Sequence, residues 1–419
     1  MDSLYVQKGF GLKGQIRGVL NHDYHSRMVD LLRERGFRLR VGEVEVRLAK
    51  EFGFCYGVDR AVDLAYETRQ HFPDKTIYLT NEIIHNPYVN RRLVEMGVRF
   101  LGEGWTVEDV TKDDVAILPA FGVTVEDLNA LKAKGCVLVD TTCGSVLNVW
   151  RRVRQYAREG FTAIVHGKYA HEETRATCSQ AVTNGTHYLV VRDQAEAEVV
   201  CQMIRRAPGA LSRAAFLKKF EKAVSPGFDP DLHLERVGVA NQTTMLSTES
   251  LEIAAMLERA VRERWGDAGA AERVRSFDTI CSATQERQDA MLELGREGGL
   301  DLFLVIGGYN SSNTMNLAIL GSRFAPTFHI SGAEEIESAA RIHHHDPKTK
   351  TRTTAEDWLP AGPLTIGVTA GASTPNRTVG EVIERLLALR GIDVAPLLAE
   401  LVTPAPAGAG GEPRTLPVL

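Results

Sequence analysis

The residues of this sequence with the clearest chemical potential are three cysteines, each of which follows a strand-like run. They end the motifs Gly53-Phe-Cys55, Asp140-Thr-Thr-Cys143 and Asp278-Thr-Ile-Cys281. Thiolates are preferred ligands of zinc and of iron–sulfur clusters. A cluster held by three cysteines leaves one iron open to activate a substrate oxygen. Structural zinc more often uses paired C-x-x-C ligands, and the sequence contains no C-x-x-C. The pattern therefore favours a shared metal centre over three separate buried thiols.

A second group of polar residues lies at the ends of other strand-like runs. His85, His171 and Ser311 follow the three cysteines by 30, 28 and 30 positions. Imidazole, hydroxyl and amide donors at the start of a helix are typical of phosphate or carboxylate binding, although Ser and Asn are also ordinary helix caps. The candidate anion-binding residues are His85, His171, Ser311, Ser312, Asn313 and Ser373. Glu173 is either a proton donor or an ordinary acidic residue in a first helical turn.

These residues recur because the chain repeats one pattern of strands and helices three times. Each set has a strand and a cysteine, a helix, a strand with a polar loop, and a third strand that ends in small polar residues. Repetition at this length predicts three similar α/β units. Ligands of such units bind beyond the carboxyl ends of the strands, so three facing units would surround one cavity.

The repeat also predicts where the units begin and end. We expect an N-terminal extension at 1–46, a first unit at 47–143, a second at 144–280 with an insertion at about 205–235, a third at 281–390, and a partly disordered tail at 391–419. The tail contains a run rich in Pro, Ala and Gly at 404–417, a composition that does not form a packed core.

Composition and charge exclude several classes of protein. The 419 residues are 44% hydrophobic and 25% charged, with a formal net charge of −5. That balance is typical of a globular protein and predicts neither nucleic acid nor an anionic membrane as a partner. The sequence has no apolar run long enough for a membrane span and no signal pattern, so we predict a cytoplasmic protein. Because neither phosphate-loop nor dinucleotide fingerprints occur, a nucleotide is not the expected ligand.

Seven motifs together resemble one enzyme family, the 4-hydroxy-3-methylbut-2-enyl diphosphate reductases, in the longer branch found in plants and cyanobacteria. The resemblance runs from about Val46 to about Leu387. The motifs are Gly53-Phe-Cys-Tyr-Gly-Val-Asp-Arg-Ala, Asn81-Glu-Ile-Ile-His-Asn, Asp140-Thr-Thr-Cys, His171-Glu-Glu-Thr, Gln242-Thr-Thr, Asn310-Ser-Ser-Asn and Gly367-Val-Thr-Ala-Gly-Ala-Ser. The resemblance implies a pseudo-threefold trefoil of α/β units around an oxygen-sensitive [4Fe–4S] cluster.

The resemblance further implies a reaction and a role for each candidate residue. The expected reaction removes the allylic hydroxyl of 4-hydroxy-3-methylbut-2-enyl diphosphate with two electrons and two protons, and gives isopentenyl and dimethylallyl diphosphate. A ferredoxin or a flavodoxin-type protein would supply the electrons. The expected cluster ligands are Cys55, Cys143 and Cys281; the diphosphate ligands are His85, His171, Ser311, Ser312, Asn313 and Ser373; Glu173 relays a proton, and Thr243 supports the substrate hydroxyl.

Some residues depart from the family pattern or lie outside it. Phe121 stands where many bacterial members have a histidine, and Gly144-Ser145 stands where the family usually has proline; we expect Phe121 to serve packing. Packing, in the core or at the surface, is also expected for Cys136, Cys178 and Cys201. The run His343-His344-His345 is interpreted as a solvated helix end rather than a metal site.

Two other classes of function remain open from the sequence. A cluster-dependent hydro-lyase would use an open iron but no external electrons. A non-enzymatic iron–sulfur redox sensor would explain the three cysteines, but not the polar loops or Glu173. Consumption of electrons during turnover distinguishes the reductase from both.

Overall fold

The computed structural model describes residues 5–277 and 279–399. The predicted tail at 404–417 and Asp278 lie outside the described residues. Short strands alternate with helices along the described residues. The described strands form three separate sheets of five, four and seven strands.

The elements follow one another in chain order. Up to residue 143 they are β1 (Tyr5–Val6), α1 (Lys13–Tyr24), α2 (Arg27–Glu34), β2 (Arg38–Val41), β3 (Val44–Leu48), α3 (Tyr56–His71), β4 (Ile77–Leu79), α4 (Pro87–Glu95), β5 (Val98–Phe100), β6 (Val115–Leu118), α5 (Val125–Lys134) and β7 (Val137–Asp140). From 144 to 277 they are α6 (Gly144–Glu159), β8 (Thr162–His166), α7 (Glu172–Thr183), β9 (Tyr188–Val191), α8 (Gln194–Arg205), α9 (Arg213–Lys219), α10 (Pro230–His233), β10 (Val237–Asn241), α11 (Ser247–Arg273, kinked at Gly266) and β11 (Val274–Ser276). From 279 they are α12 (Ser282–Glu297), β12 (Leu302–Ile306), α13 (Ser312–Gly321), β13 (Thr327–Ile330), β14 (Arg341–His345), β15 (Arg352–Glu356), β16 (Leu364–Ala370), α14 (Asn376–Leu389) and α15 (Ala395–Ala399).

Each sheet contains the same four-stranded parallel core. The strand orders are β7-β6-β4-β5 in the first sheet, β11-β10-β8-β9 in the second and β3-β16-β12-β13 in the third. In each core β4, β8 or β12 is an inner strand, and the strand written first in these orders (β7, β11 or β3) lies at one end; this end strand is called the fourth strand below. This repeated order confirms the predicted α/β fold of three similar units.

The fourth strand of each core is the strand that leads to a cysteine. β7 leads to Cys143 and β11 to Cys281, whereas the third sheet borrows β3, which leads to Cys55, from the N-terminal part of the chain. The sequence pattern placed the β3 strand at the opening of the first set, but the structure pairs it in parallel with β16 over Leu364–Val368. Each cysteine therefore lies where the chain leaves one sheet for the next, and the three units are joined in a ring.

Burial explains why the parallel strands are almost continuously apolar. β6, β8, β10 and β12 are buried at every position, as expected for strands covered by helices on both faces. The largest apolar clusters belong one to each sheet. The space between the three units therefore lies outside these three cores.

The N-terminal segment is attached to the first unit by a buried charge network. Asp23, which is fully buried, accepts hydrogen bonds from Tyr66 Oη at 2.8 Å and from Arg92 Nη2 at 2.9 Å. Tyr66 in turn contacts Tyr24 Oη at 2.7 Å. A buried carboxylate is tolerated only when its charge and its acceptor sites are satisfied, so this network stabilises the packing of α1 on α3 and α4.

We expect Asp23→Ala to lower the free energy of unfolding by about 2–4 kcal/mol, because it leaves Arg92 and Tyr66 without their shared acceptor. Chemical denaturation measures the change. Asp113→Ala is the matched control, since Asp113 and its partner Lys112 are both largely exposed and such pairs contribute less than about 1 kcal/mol. Equal effects of the two substitutions would contradict the role of the network.

Two sequence interpretations of local structure have opposite outcomes. The segment from Ser26 to Gly36 predicts a helix, because a serine precedes apolar residues at helical spacing and a glycine follows them. This helix is present as α2, and Ser26 Oγ caps it by accepting the Val29 N–H at 3.3 Å. The interpretation of His343–His345 as a helix end was wrong, because these residues form β14, antiparallel to β13 and β15.

No helix in the described part of the chain is both long enough and apolar enough to cross a bilayer. The unit boundaries given above stay a prediction.

Candidate active site

One cavity collects every candidate site residue predicted from the sequence. It lies between the three units, beyond the carboxyl ends of the parallel strands, where ligands of α/β sheets bind. The candidates on its wall are Cys55, Cys143, Cys281, His85, His171, Glu173, Thr243, Ser311, Ser312, Asn313 and Ser373. Residues separated by more than 300 positions in the chain therefore share one space.

The three cysteines reach the cavity in the same way. Each is the N-cap of a helix: Cys55 of α3, Cys143 of α6 and Cys281 of α12. Burial raises the pKa of Cys55, and it raises the pKa of Cys281 to about 11. Buried thiols of this kind become thiolates when a metal replaces the proton, and the positive end of a helix favours the thiolate.

A buried arginine from a different unit holds the Cys55 loop. Arg287, on α12, donates to the Gly53 carbonyl at 2.8 and 3.1 Å and to the Phe54 carbonyl at 3.1 Å. It is 3% exposed. The third unit thus positions the cysteine of the first, a contact with no signal in the sequence.

Gly57 leaves the space in which two of the thiols approach each other. A methyl group built on Gly57 would lie 2.6 Å from Cys143 Sγ and 3.9 Å from Cys55 Sγ. Thiols from two helix ends therefore converge on one point, and the third faces the same cavity. The donor set of three thiols, with the other cysteines buried elsewhere, fits an iron–sulfur cluster with three protein ligands.

We expect Gly57→Ala to lower the iron content of purified protein by about tenfold or more, because the added methyl displaces the Cys143 thiol. Gly144→Ala is the matched control: Gly144 also lies in the first turn of a cysteine-capped helix, but a methyl there meets no atom within 4 Å. Iron analysis and visible absorption of anaerobically prepared protein measure both. Full iron retention by Gly57→Ala would contradict the convergence of the thiols.

Glu173 and Thr243 form a buried acid–hydroxyl pair on the cavity wall. Glu173 is 1% exposed; its Oε1 accepts the Thr243 backbone N–H at 2.6 Å, and its Oε2 lies 3.0 Å from Thr243 Oγ1. Burial raises the pKa of Glu173 to about 7. The carboxyl group is therefore poised to exchange a proton near neutral pH, which is the property of a general acid.

The anion-binding candidates also line the cavity. Ser311 caps α13 by accepting the Thr314 N–H at 3.2 Å, and Asn313 Oδ1 accepts the Ala372 N–H at 2.9 Å. Asn313 Nδ2 is buried and has no partner among the described residues, which leaves it as a donor for a ligand. Ser373 differs, because its hydroxyl already donates to the His85 carbonyl at 3.1 Å.

Ser312 is held by two residues that the sequence analysis did not assign to the site. Its Oγ accepts from Lys168 Nζ at 3.1 Å and from Gln242 Nε2 at 3.3 Å. Because both lone pairs are used, the Ser312 O–H is left to donate to another acceptor. Gln242 carried a weak signal, because it opens the motif Gln242-Thr-Thr, and Lys168 lies three residues before the motif that begins at His171.

Phe121 packs against both cavity histidines, as expected. Its ring stacks on His85 with centroids 4.2 Å apart and meets His171 edge-on at 5.7 Å. The other cysteines behave as predicted for packing residues: Cys136, Cys178 and Cys201 are buried in apolar clusters.

Three facing α/β units around a cavity with three converging thiols and a buried acid define the class of protein, an α/β enzyme whose cavity offers three thiols to a metal centre. The chain matches the family model described as LytB protein over residues 46–387. This chain belongs to the LytB protein family, whose enzymes are iron–sulfur proteins.

Relatives along nearly the whole chain agree with this assignment. A Gloeobacter violaceus protein named 4-hydroxy-3-methylbut-2-enyl diphosphate reductase is 49% identical over 417 residues, which are 98% of each chain. A Synechococcus protein of the same name is 50% identical over 390 residues, 92% of this chain and 96% of that one.

Solved structures agree in fold. One described as (E)-4-hydroxy-3-methyl-but-2-enyl diphosphate reductase, the terminal enzyme of the non-mevalonate pathway, is 27% identical, with a TM-score of 0.50, and covers 82% of this chain and 99% of its own. The Plasmodium falciparum E-1-hydroxy-2-methyl-but-2-enyl-4-diphosphate reductase has a TM-score of 0.60 at 21% identity, covers 82% of this chain and 87% of its own, and shares the fold.

Proposed function

We propose that this protein reductively removes the allylic hydroxyl of 4-hydroxy-3-methylbut-2-enyl diphosphate to form isopentenyl and dimethylallyl diphosphate. The observation that carries the proposal is the shared cavity, in which three thiols, a buried acid–hydroxyl pair and a set of anion donors face one another. The relatives named for this activity match almost the whole chain.

Cys55, Cys143 and Cys281 would hold a [4Fe–4S] cluster. When bound, a cluster with three thiolate ligands supplies a Lewis-acidic iron and a store for electrons. The chain contributes the three ligands, the helix N-termini behind them and the Arg287 contact that holds the Cys55 loop.

The diphosphate would lie against the polar loops. The proposed ligands are His85, His171, Ser311, Ser312, Asn313 and Ser373. The free Asn313 amide, the available Ser312 hydroxyl and the N-terminus of α13 are all donors, and backbone N–H groups at a helix start bind anions well. Ser373 would have to release the His85 carbonyl to donate. Fixing the diphosphate orients the hydroxyl end of the substrate toward Thr243.

Glu173 would deliver a proton through Thr243. In the ionised form Thr243 Oγ1 donates to Glu173 Oε2 at 3.0 Å. Because Oε1 is occupied by the Thr243 backbone N–H, a proton on the carboxyl group would reside on Oε2 and reverse this bond, so that Oε2 donates to Thr243 Oγ1. The Thr243 O–H is then free to donate to the substrate hydroxyl. Protonation turns this hydroxyl into water, a much better leaving group.

Electrons must come from outside the chain, and the proposed donor is a ferredoxin or a flavodoxin-type protein. This assignment rests on the family resemblance. The cytoplasmic location remains a prediction from the sequence.

Anaerobic turnover tests the proposed function. Cluster-loaded protein is mixed with 4-hydroxy-3-methylbut-2-enyl diphosphate and a reduced low-potential dye, and both dye oxidation and C5 diphosphate products are measured. Dye oxidation with both products supports the reductase. A product formed without dye oxidation would indicate a hydro-lyase. If neither dye oxidation nor product were observed, the redox sensor would be the remaining alternative.

A further inference from the structure

The two cavity histidines are joined in a hydrogen-bonded chain whose direction can be derived. His171 Nδ1 lies 3.2 Å from the Glu173 backbone nitrogen, which can only donate. His171 Nδ1 is therefore the acceptor, and the proton of the neutral ring is on Nε2. His171 Nε2 lies 3.2 Å from His85 Nε2, to which it donates.

The second ring continues the chain to a carboxylate. Because His85 Nε2 accepts, the proton of neutral His85 is on Nδ1, which donates to Glu82 Oε2 at 2.8 Å. The full chain runs from the Glu173 N–H through His171 and His85 to Glu82. In this state His85 has no N–H directed into the cavity, and the Nε2–H of His171 is already used.

An anion in the cavity requires the opposite arrangement, since phosphate oxygens only accept unless they carry a proton. We propose that the His85–His171 pair takes up one proton from solvent when a diphosphate binds, with Glu82 as the counter-charge that positions His85 as a donor. The inference rests on the proposed diphosphate substrate. The proton adds to His85 Nε2; the two Nε2–H groups then face each other as donors, separate, and each donates to a phosphate oxygen.

The surrounding groups favour His85 over His171 as the proton acceptor. Burial, followed by the nearby His85 and Lys168, lowers the pKa of His171 to about 3, so that ring stays neutral. His85 instead has two carboxylates within reach, Glu82 and Glu172, the latter at 3.6 Å.

The remaining neighbours complete the environment of His85. Glu172 is held by the Asn81 amide at 3.2 Å and lies 3.8 Å from His171 Nδ1. Phe121 stacks on the His85 ring, and an aromatic face stabilises a cation. Lys168, before α7, is the cationic residue that acts on this pair through His171; Ser373 and the other serines of the wall are uncharged.

Calorimetry of isopentenyl diphosphate binding to the oxidised, cluster-loaded protein tests the inference. The same titration of Glu173→Gln excludes proton uptake by that carboxylate, which lines the same cavity and whose pKa of about 7 leaves it mostly ionised at pH 8. At pH 8 a terminal phosphate with a second pKa of about 6 is already ionised, so the proton must come from the buffer. The binding heat is measured in buffers of different ionisation enthalpy. We expect uptake of about one proton per bound ligand. The affinity for isopentenyl diphosphate should then fall by up to about tenfold for each unit by which the pH rises. Binding without proton uptake, or absence of binding, would overturn the inference.

Glu82→Gln separates positioning from a structural role. We expect proton uptake to fall well below one and affinity to fall about tenfold, while iron content and the melting temperature stay unchanged. Glu126→Gln is the control, since Glu126 is exposed in the first turn of α5. Unchanged proton uptake in folded Glu82→Gln would exclude Glu82 as the counter-charge.

The outcome is independent of the turnover assay. If the protein bound isopentenyl diphosphate with proton uptake but failed to turn over the proposed substrate, the proposed function would be wrong and the proton uptake would stand. If it turned over the substrate but bound isopentenyl diphosphate without proton uptake, the function would stand and the proton uptake would be wrong.

Discussion

Cys143→Ser is expected to abolish both iron binding and turnover. The substitution removes one of three thiols that converge on one cavity, and an alkoxide does not form at a serine as a thiolate does at a cysteine. We expect activity to fall by about a thousandfold or more, since an iron Lewis acid supplies several kcal/mol to the transition state. Cys55→Ser and Cys281→Ser should behave alike, because the three residues occupy equivalent N-caps.

Cys178→Ala provides the matched control for this prediction. Cys178 is also a buried, unpaired thiol, and burial holds its pKa far above the usual range, but it packs in the core of the second unit. It should keep full iron content and near-normal turnover, with at most a modest loss of stability. Iron analysis, visible absorption and dye-coupled turnover of anaerobic protein measure each variant. If Cys143→Ser kept its cluster, the three-thiol assignment would be wrong.

Glu173→Gln is expected to lower turnover by about 10²- to 10⁴-fold while the protein retains its cluster. Glutamine keeps the shape of the side chain and can still accept the Thr243 N–H, but it has no acidic proton to pass to Thr243 Oγ1. The loss should therefore appear in the chemical step rather than in iron content or folding.

The pH dependence gives this prediction its sign. Burial raises the pKa of Glu173 to about 7, so the acid is mostly protonated at pH 6 and mostly ionised at pH 8. Turnover that needs the protonated form should fall as pH rises through about 7, and this limb should vanish in Glu173→Gln. Glu384→Gln is the control, because burial also raises the pKa of Glu384 but the residue lies on α14 outside the cavity lining. A normal profile in Glu173→Gln would exclude the proton role.

The sequence alone predicted the candidate residues of the site and the repeat that carries them. Three cysteines after strands, polar loops at nearly constant offsets and apolar buried strands are local features, because each depends on neighbours within one unit. The observed cavity contains all of the predicted site residues, because the strand ends of each parallel sheet share an edge and the edges of the three sheets face one another.

The tertiary structure decided which strand belongs to which sheet. β3 resembles an opening strand of the first unit, yet it pairs with β16, more than 300 positions away. Strand propensity reports burial and alternation but not the pairing partner. The pairing of β3 with the third sheet could therefore not be predicted from the local sequence. The histidine run of β14 was misassigned for the same reason, since its strand state comes from pairing with β13 and β15.

The tertiary structure also decided the supporting contacts of the site. Arg287 on the Cys55 loop, Lys168 on Ser312 and Glu82 on His85 each act through hydrogen-bond geometry. The first two contacts join different units. The direction of the third, from His85 to Glu82, follows only from the hydrogen bond between His85 and His171. A sequence names donors and acceptors, but their directions and protonation states depend on which atoms lie within about 3 Å in the folded chain.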